Sequence, residues 1–139
     1  MDEQDNPRRK GLAFMLDDGT RKSHSVAQNS AFVTGFFKGL STQDSYCAFL
    51  MSLYFVYSAM EECFDTVNEE CVKALDDKRL RCVSALETDV DFFHGREWRN
   101  VMKPSYATKT YISRVKSVAD NKPYLLIAHQ YTRYLGDLF

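Results

Sequence analysis

The chain has 139 residues, enough for one packed domain, and its 45% hydrophobic and 14% aromatic content excludes a disordered segment. With 18 basic against 19 acidic residues the formal net charge is −1, so no overall field selects nucleic acid or an anionic membrane surface. Cys47, Cys63, Cys71 and Cys82 form no CxxC pair and no metal-type grouping with histidine; without a signal-peptide pattern they read as buried apolar fillers in a reducing compartment.

Residues 1–11, opening MDEQDNPRRK, are polar and charged and read as a flexible tail, leaving 12–139 as one helical domain. Helical spacing over 12–28 puts Leu12, Met15, Leu16, Thr20, Ser23, His24 and Ala27 on one face, with Asp17, Asp18, Arg21 and Lys22 on or beside the other. The imidazole of His24 is therefore expected on an inward face, one turn after Thr20 and one turn before Gln28. On this helix alone, a hydrogen-bonded core histidine is the commoner reading and a metal ligand the rarer one. Asn29 or Ser30 is placed to cap a short second helix with Phe32, Val33, Phe36 and Phe37 as its apolar stripe, and Gly39 to end it.

Ser41 or Thr42 opens a third helix, expected from Gln43 to about Glu69, with Asp44 in its first turn. Its middle, YCAFLMSLYFVYSAM, is apolar nearly all round and marks the central buried helix; it falls short of the roughly 18 residues of a spanning helix. Tyr54 and Tyr57 lie inside this run, and a buried phenol needs a partner, either a backbone carbonyl or a polar network lining a cavity. Glu61 and Glu62 are adjacent and point apart on a helix, which argues against a paired acid–base role.

Asp76-Asp77-Lys78 reads as a turn, followed by a fourth helix from about Arg79 to Phe92 with Val83, Leu86, Val90 and Phe93 as its seam, His94 at its end and Gly95 as its stop. Trp98 is expected to lie as a lid on the core. Pro104-Ser105 opens a fifth helix carrying Ala107, Tyr111, Val115 and Val118, and Asn121-Lys122-Pro123 breaks it. A sixth helix reads PYLLIAHQYTRYLGDLF, with Gly136 inside a helical pattern, Asp137 beside it and an end at Phe139 without a cap, as if cut short. An interior glycine costs roughly 1 kcal/mol against alanine and marks a bend or a close approach to the backbone. No stretch alternates with period two, so the fold class is all-α, a multi-helix bundle.

Four separated segments, GTRKSHSVAQN at 19–29, SLYFVYSAMEE at 52–62, SALETD at 84–89 and LLIAHQYTRYLGDL at 125–138, resemble the heme oxygenases in order and spacing. The wording of the second is most similar to the cyanobacterial and algal branch. The resemblance implies a helical fold holding heme b between a proximal helix near the N-terminus and a distal helix containing the GD pair. By the same resemblance His24 is the axial iron ligand, and heme is both prosthetic group and substrate. O2 and electrons from ferredoxin or an NADPH-dependent flavoprotein reductase would open the ring at its α-meso carbon to biliverdin, CO and Fe2+, and a biliverdin reductase-type enzyme would act downstream. An imidazole ligand donates less electron density than a thiolate, which disfavours early O–O cleavage and suits attack on the ring.

The resemblance assigns Asp137, Gly136, Arg133 and Tyr57 to the distal catalytic network, Tyr131 to a heme propionate, and His129 to a structural position. Asp17 stands where relatives carry a basic propionate partner, a role that passes to Arg21 one turn on, beside Thr20; Gln28 stands where relatives carry a glutamate that orients the imidazole. The family pattern continues beyond GDL into further helices, which this sequence lacks. The resemblance further implies a soluble, monomeric protein of the cytoplasm or plastid stroma, binding no nucleic acid and crossing no membrane. The competing expectation is a catalytically impaired heme-binding or heme-sensing fragment.

Overall fold

Among residues 11–135, which the computed structural model describes, eight α-helices and three short turns of tighter or wider pitch occur, and no strand. Of the expected tail (residues 1–11), residues 1–10 lie outside the described residues, as does the Gly136-Asp137 pair, while Gly11 is already the first residue of a helix. The chain divides into two compact units between Thr42 and Gln43.

The first unit holds α1 (Gly11–Gln28) and α2 (Ala31–Phe37). Ser30 caps α2, its hydroxyl accepting from the Val33 amide at 3.4 Å. Gly39, at φ +70°, ends it: the Gly39 amide donates to the Phe36 carbonyl and the Leu40 amide to that of Gly35, which satisfies two terminal acceptors. The inward face expected for α1 does not exist as a buried surface. No residue of α1 is buried, and of the seven expected on that face only Leu16 and Thr20 are even half-buried. Periodicity reports that a helix is amphipathic; it cannot report whether anything covers the apolar side.

The second unit is built on α3 (Gln43–Thr66), which packs against α5 (Val83–His94) and α7 (Tyr106–Asn121). Leu50, Met51, Val56, Tyr57, Met60, Cys63 and Phe64 of α3 meet Leu86, Val90, Val115, Val118 and Leu126 in one core. This is the central helix the apolar run predicts. It stops at Thr66, and a separate short helix, α4 (Glu70–Leu75), follows where no helix is expected. The predicted start at Arg79 is occupied by a 3-10 turn, Lys78–Leu80, capped by Asp77, and α5 begins only at Val83. The reason is tertiary. Glu61 of α3, itself buried, accepts from the amides of Cys82 at 2.7 Å and Val83 at 3.3 Å, supplying the cap and a negative charge at the positive end of α5.

Trp98, at the start of α6 (Trp98–Val101), is not a lid. It is 2% exposed within the core, and its indole N–H donates to Asp91 at 2.6 Å. On α7, capped by Ser105, Val115 and Val118 are buried as expected; Thr108 is buried in place of its exposed neighbour Ala107. The predicted sixth helix has three pitches: a 3-10 turn at Pro123–Leu125, α8 at Leu126–Gln130, and a π turn at Tyr131–Leu135. Cys47 and Cys63 are buried fillers as expected, but Cys71 is exposed and Cys82 half-buried.

Candidate functional site

α8 and the π turn place their side chains against α3, α4 and α7. Gln130, buried, donates to the Val72 carbonyl of α4 at 3.0 Å. The Tyr57 hydroxyl donates to the Arg133 carbonyl at 2.9 Å, which answers where a buried phenol on α3 finds its partner. The Arg133 guanidinium lies over the Tyr111 ring, 4.7 Å from its centroid, with Nε 3.4 Å from the hydroxyl. That hydroxyl shares a 2.8 Å hydrogen bond with His129 Nδ1. Burial, with the positive charges of Arg114 and Arg133, holds the His129 pKa below its ordinary value, so the ring is neutral at pH 7. Tyr57, Tyr111, His129 and Arg133 thus form one polar group in which a neutral histidine and a cation meet on one phenol.

Two of the predicted catalytic residues, Tyr57 and Arg133, are brought together; the other two, Gly136 and Asp137, fall outside the described residues. Tyr131 opens the π turn and is half-buried. Tyr111 was expected only as a core position, and nothing local to residue 111 signals its link to residues 129 and 133. Tyr134 and Glu61 were missed too: the buried Tyr134 hydroxyl lies 3.3 Å from Glu61 Oε1, again across 73 residues of sequence.

On α1, His24 is exposed, and among the described residues no hydrogen bond or ion pair ties its imidazole. Thr20 is turned back on its own helix, donating to the Leu16 carbonyl at 2.7 Å. Arg21 pairs with Asp17 at 3.2 Å and Asp18 at 3.5 Å, so it is not a free cation waiting for a carboxylate. Exposed pairs of this kind are worth at most about 1 kcal/mol, small enough to be exchanged for a better partner. Gln28 is the exposed last residue of α1. A cleft of about 370 Å³ between the start of α3 and residues 93–105 contains none of these side chains, although His94 Nε2, buried and without a hydrogen-bond partner among the described residues, belongs to one of its lining residues.

The fold and these side chains define an all-α protein with an exposed histidine near its start and a tyrosine–arginine–histidine group near its end. Residues 10–139 match the heme oxygenase family, and the chain belongs to that family. It is 44% identical over 128 residues to the heme oxygenase of Guillardia theta, covering 91% of this chain and 54% of that protein. Heme oxygenase 1 of Synechocystis is also 44% identical, over 91% of this chain and 53% of its own length. The crystal structure of the Synechocystis heme oxygenase-1 in complex with heme superposes with a TM-score of 0.86 over 93% of this chain and 59% of that one. Heme oxygenase-2 from the same organism, in complex with heme and NO, gives 0.88 at 36% identity over 93% and 53%. The chain therefore spans about half the length of the curated relatives it matches. No helix among the described residues is long and apolar enough to cross a membrane.

Proposed function

We propose that this chain carries the heme-contacting part of a heme oxygenase, cleaving heme as its substrate at the α-meso carbon to biliverdin, CO and Fe2+. The observation that carries the reading is the junction of Tyr57, Tyr111, His129 and Arg133 on the turn that directly precedes Gly136-Asp137 in sequence. When bound, the heme iron supplies the activation of O2. His24 would supply the nitrogen donor to the iron and, as an exposed imidazole, needs no rearrangement of core packing to serve. Gln28, one turn on, orients the ring through its amide, and Thr20, Arg21 and Tyr131 border the propionates. Arg21 would exchange its pairs with Asp17 and Asp18 for a propionate oxygen.

Gly136 would admit close approach of its backbone to the macrocycle, and Asp137 would order water that delivers protons. Arg133 contributes positive charge held in place by the Tyr111 face, and Tyr57 fixes its backbone. Electrons come from ferredoxin or an NADPH-dependent reductase, and a biliverdin reductase-type enzyme takes the product. The protein works as a soluble monomer in the cytoplasm or plastid stroma.

Hemin titration followed by ferredoxin, reductase and O2 tests the proposal. The expected result is a Soret band with a histidine-ligand signature that His24→Ala abolishes, then biliverdin absorbance. An unchanged spectrum in His24→Ala rejects the ligand; a stable Soret band without biliverdin leaves a heme-binding or heme-sensing role.

A further inference from the structure

The π turn at Tyr131–Leu135 stands on a buried contact, Tyr134 to Glu61, to which the proposed function gives no role. A π turn is rare and less favourable than the α-helix it interrupts, so a protein keeps one only where surrounding contacts over-determine it. Here the contacts come from α3. Tyr134 is the buried residue of the turn; its ring stands edge-on to Tyr57 at 5.1 Å between centroids and tilted against Phe64 at 5.8 Å. Its hydroxyl reaches Glu61 Oε1 at 3.3 Å, the same oxygen that accepts the Cys82 and Val83 amides. Glu61 is therefore fixed from one side by the start of α5 and offers a fixed acceptor on the other.

We propose that Glu61 and Tyr134 are positioning residues: their buried hydrogen bond locks the π turn in register, and the lock aims the Arg133 guanidinium at Tyr111. Adjacent residues on a helical turn project in different directions, so pinning Tyr134 inward sets the direction of Arg133. The Tyr57 hydroxyl on the Arg133 carbonyl closes the arrangement from the same helix, α3. Burial first, then the Glu61 charge, raises the Tyr134 pKa, so the phenol stays a donor throughout the working range. The inference deepens the proposed function by assigning residues that act through Arg133, but the geometry exists without heme.

Tyr134→Phe removes the hydroxyl and keeps the ring. In the full chain without heme, native-state amide exchange at 131–135 is expected to accelerate about tenfold while α7 is unchanged, as for one lost hydrogen bond. The ring-current shift of the Arg133 side-chain protons over Tyr111 should collapse toward its random-coil value. Glu61→Gln, whose amide oxygen accepts the same bonds, should keep both signals. Unchanged exchange and shift in Tyr134→Phe, a uniform acceleration across α3 and α7, or a loss in Glu61→Gln equal to that in Tyr134→Phe would each overturn the proposal. Should Tyr134→Phe fail to fold, exchange of the wild-type Tyr134 hydroxyl proton decides: slow exchange supports the lock and fast exchange rejects it. None of these readouts requires hemin to bind, so they separate this inference from the heme reading.

Discussion

The two units differ in what holds their helices. In α1 and α2, the side-chain hydrogen bonds among described residues close over three or four residues, as from Thr20 to Leu16 or from Thr34 to Ser30. In the second unit they reach across 73 residues from Tyr134 to Glu61 and 76 from Tyr57 to Arg133. Neither α1 nor α2 has a buried residue, whereas α3 alone contributes ten. A helix specified locally can leave its surface free for a ligand, while a helix specified by its neighbours can aim a side chain. The candidate iron ligand lies on the first kind, and Tyr57 and Arg133, the candidate distal residues that are described, on the second.

The sharpest way to break that contrast uses one residue type in both units. Met60 is 0% exposed and Met15 is 68% exposed. Met60→Ala should cost about 2–5 kcal/mol of unfolding free energy through the lost transfer term and the cavity left behind. Met15→Ala should stay within about 0.5 kcal/mol in the same urea titration. Comparable costs at the two positions would show that α1 is as deeply specified as α3.

Helix caps give a smaller, finer comparison. Ser30 and Ser105 perform the same task, each hydroxyl accepting from the amide three residues on, at 3.4 Å and 3.2 Å. Ser105→Ala should lower global stability by about 1 kcal/mol, because α7 is part of the core. Ser30→Ala should instead speed amide exchange in α2 alone and leave the urea midpoint where it was. A shift of the midpoint by both variants would mean the two units unfold as one.

The least of the three effects is pH dependence from His129. Its pKa in the folded state lies below 6.5, with burial the main cause and Arg114 and Arg133 adding to it. The unfolded chain therefore binds the proton first as pH falls, and stability declines from about 6.5 downward, levelling once pH is below the native value. His129→Gln should remove that slope; retention of the full slope would assign it to another group.

Much of this was legible in the chain. The apolar run 46–60 specified a buried helix, Ser30, Gly39, Ser105 and Gly95 punctuated the elements where expected, and four sequence segments indicated the family. Cap residues and glycines act through their own backbone, so their effect is written locally. Whether the face of α1 would be covered was not, nor that Glu61 would hold the start of α5, that Trp98 would sit inside the core, or that the last helix would open into a π turn. The contacts of Glu61 with Cys82 and with Tyr134 span 21 and 73 residues, and burial and register are properties of the partner surface as much as of the helix. Sequence by itself determined most of the helical segments, several of their ends and the family they form. Only the tertiary structure decided which polar groups meet, because a hydrogen bond between Tyr57 and Arg133 depends on packing that no periodicity encodes.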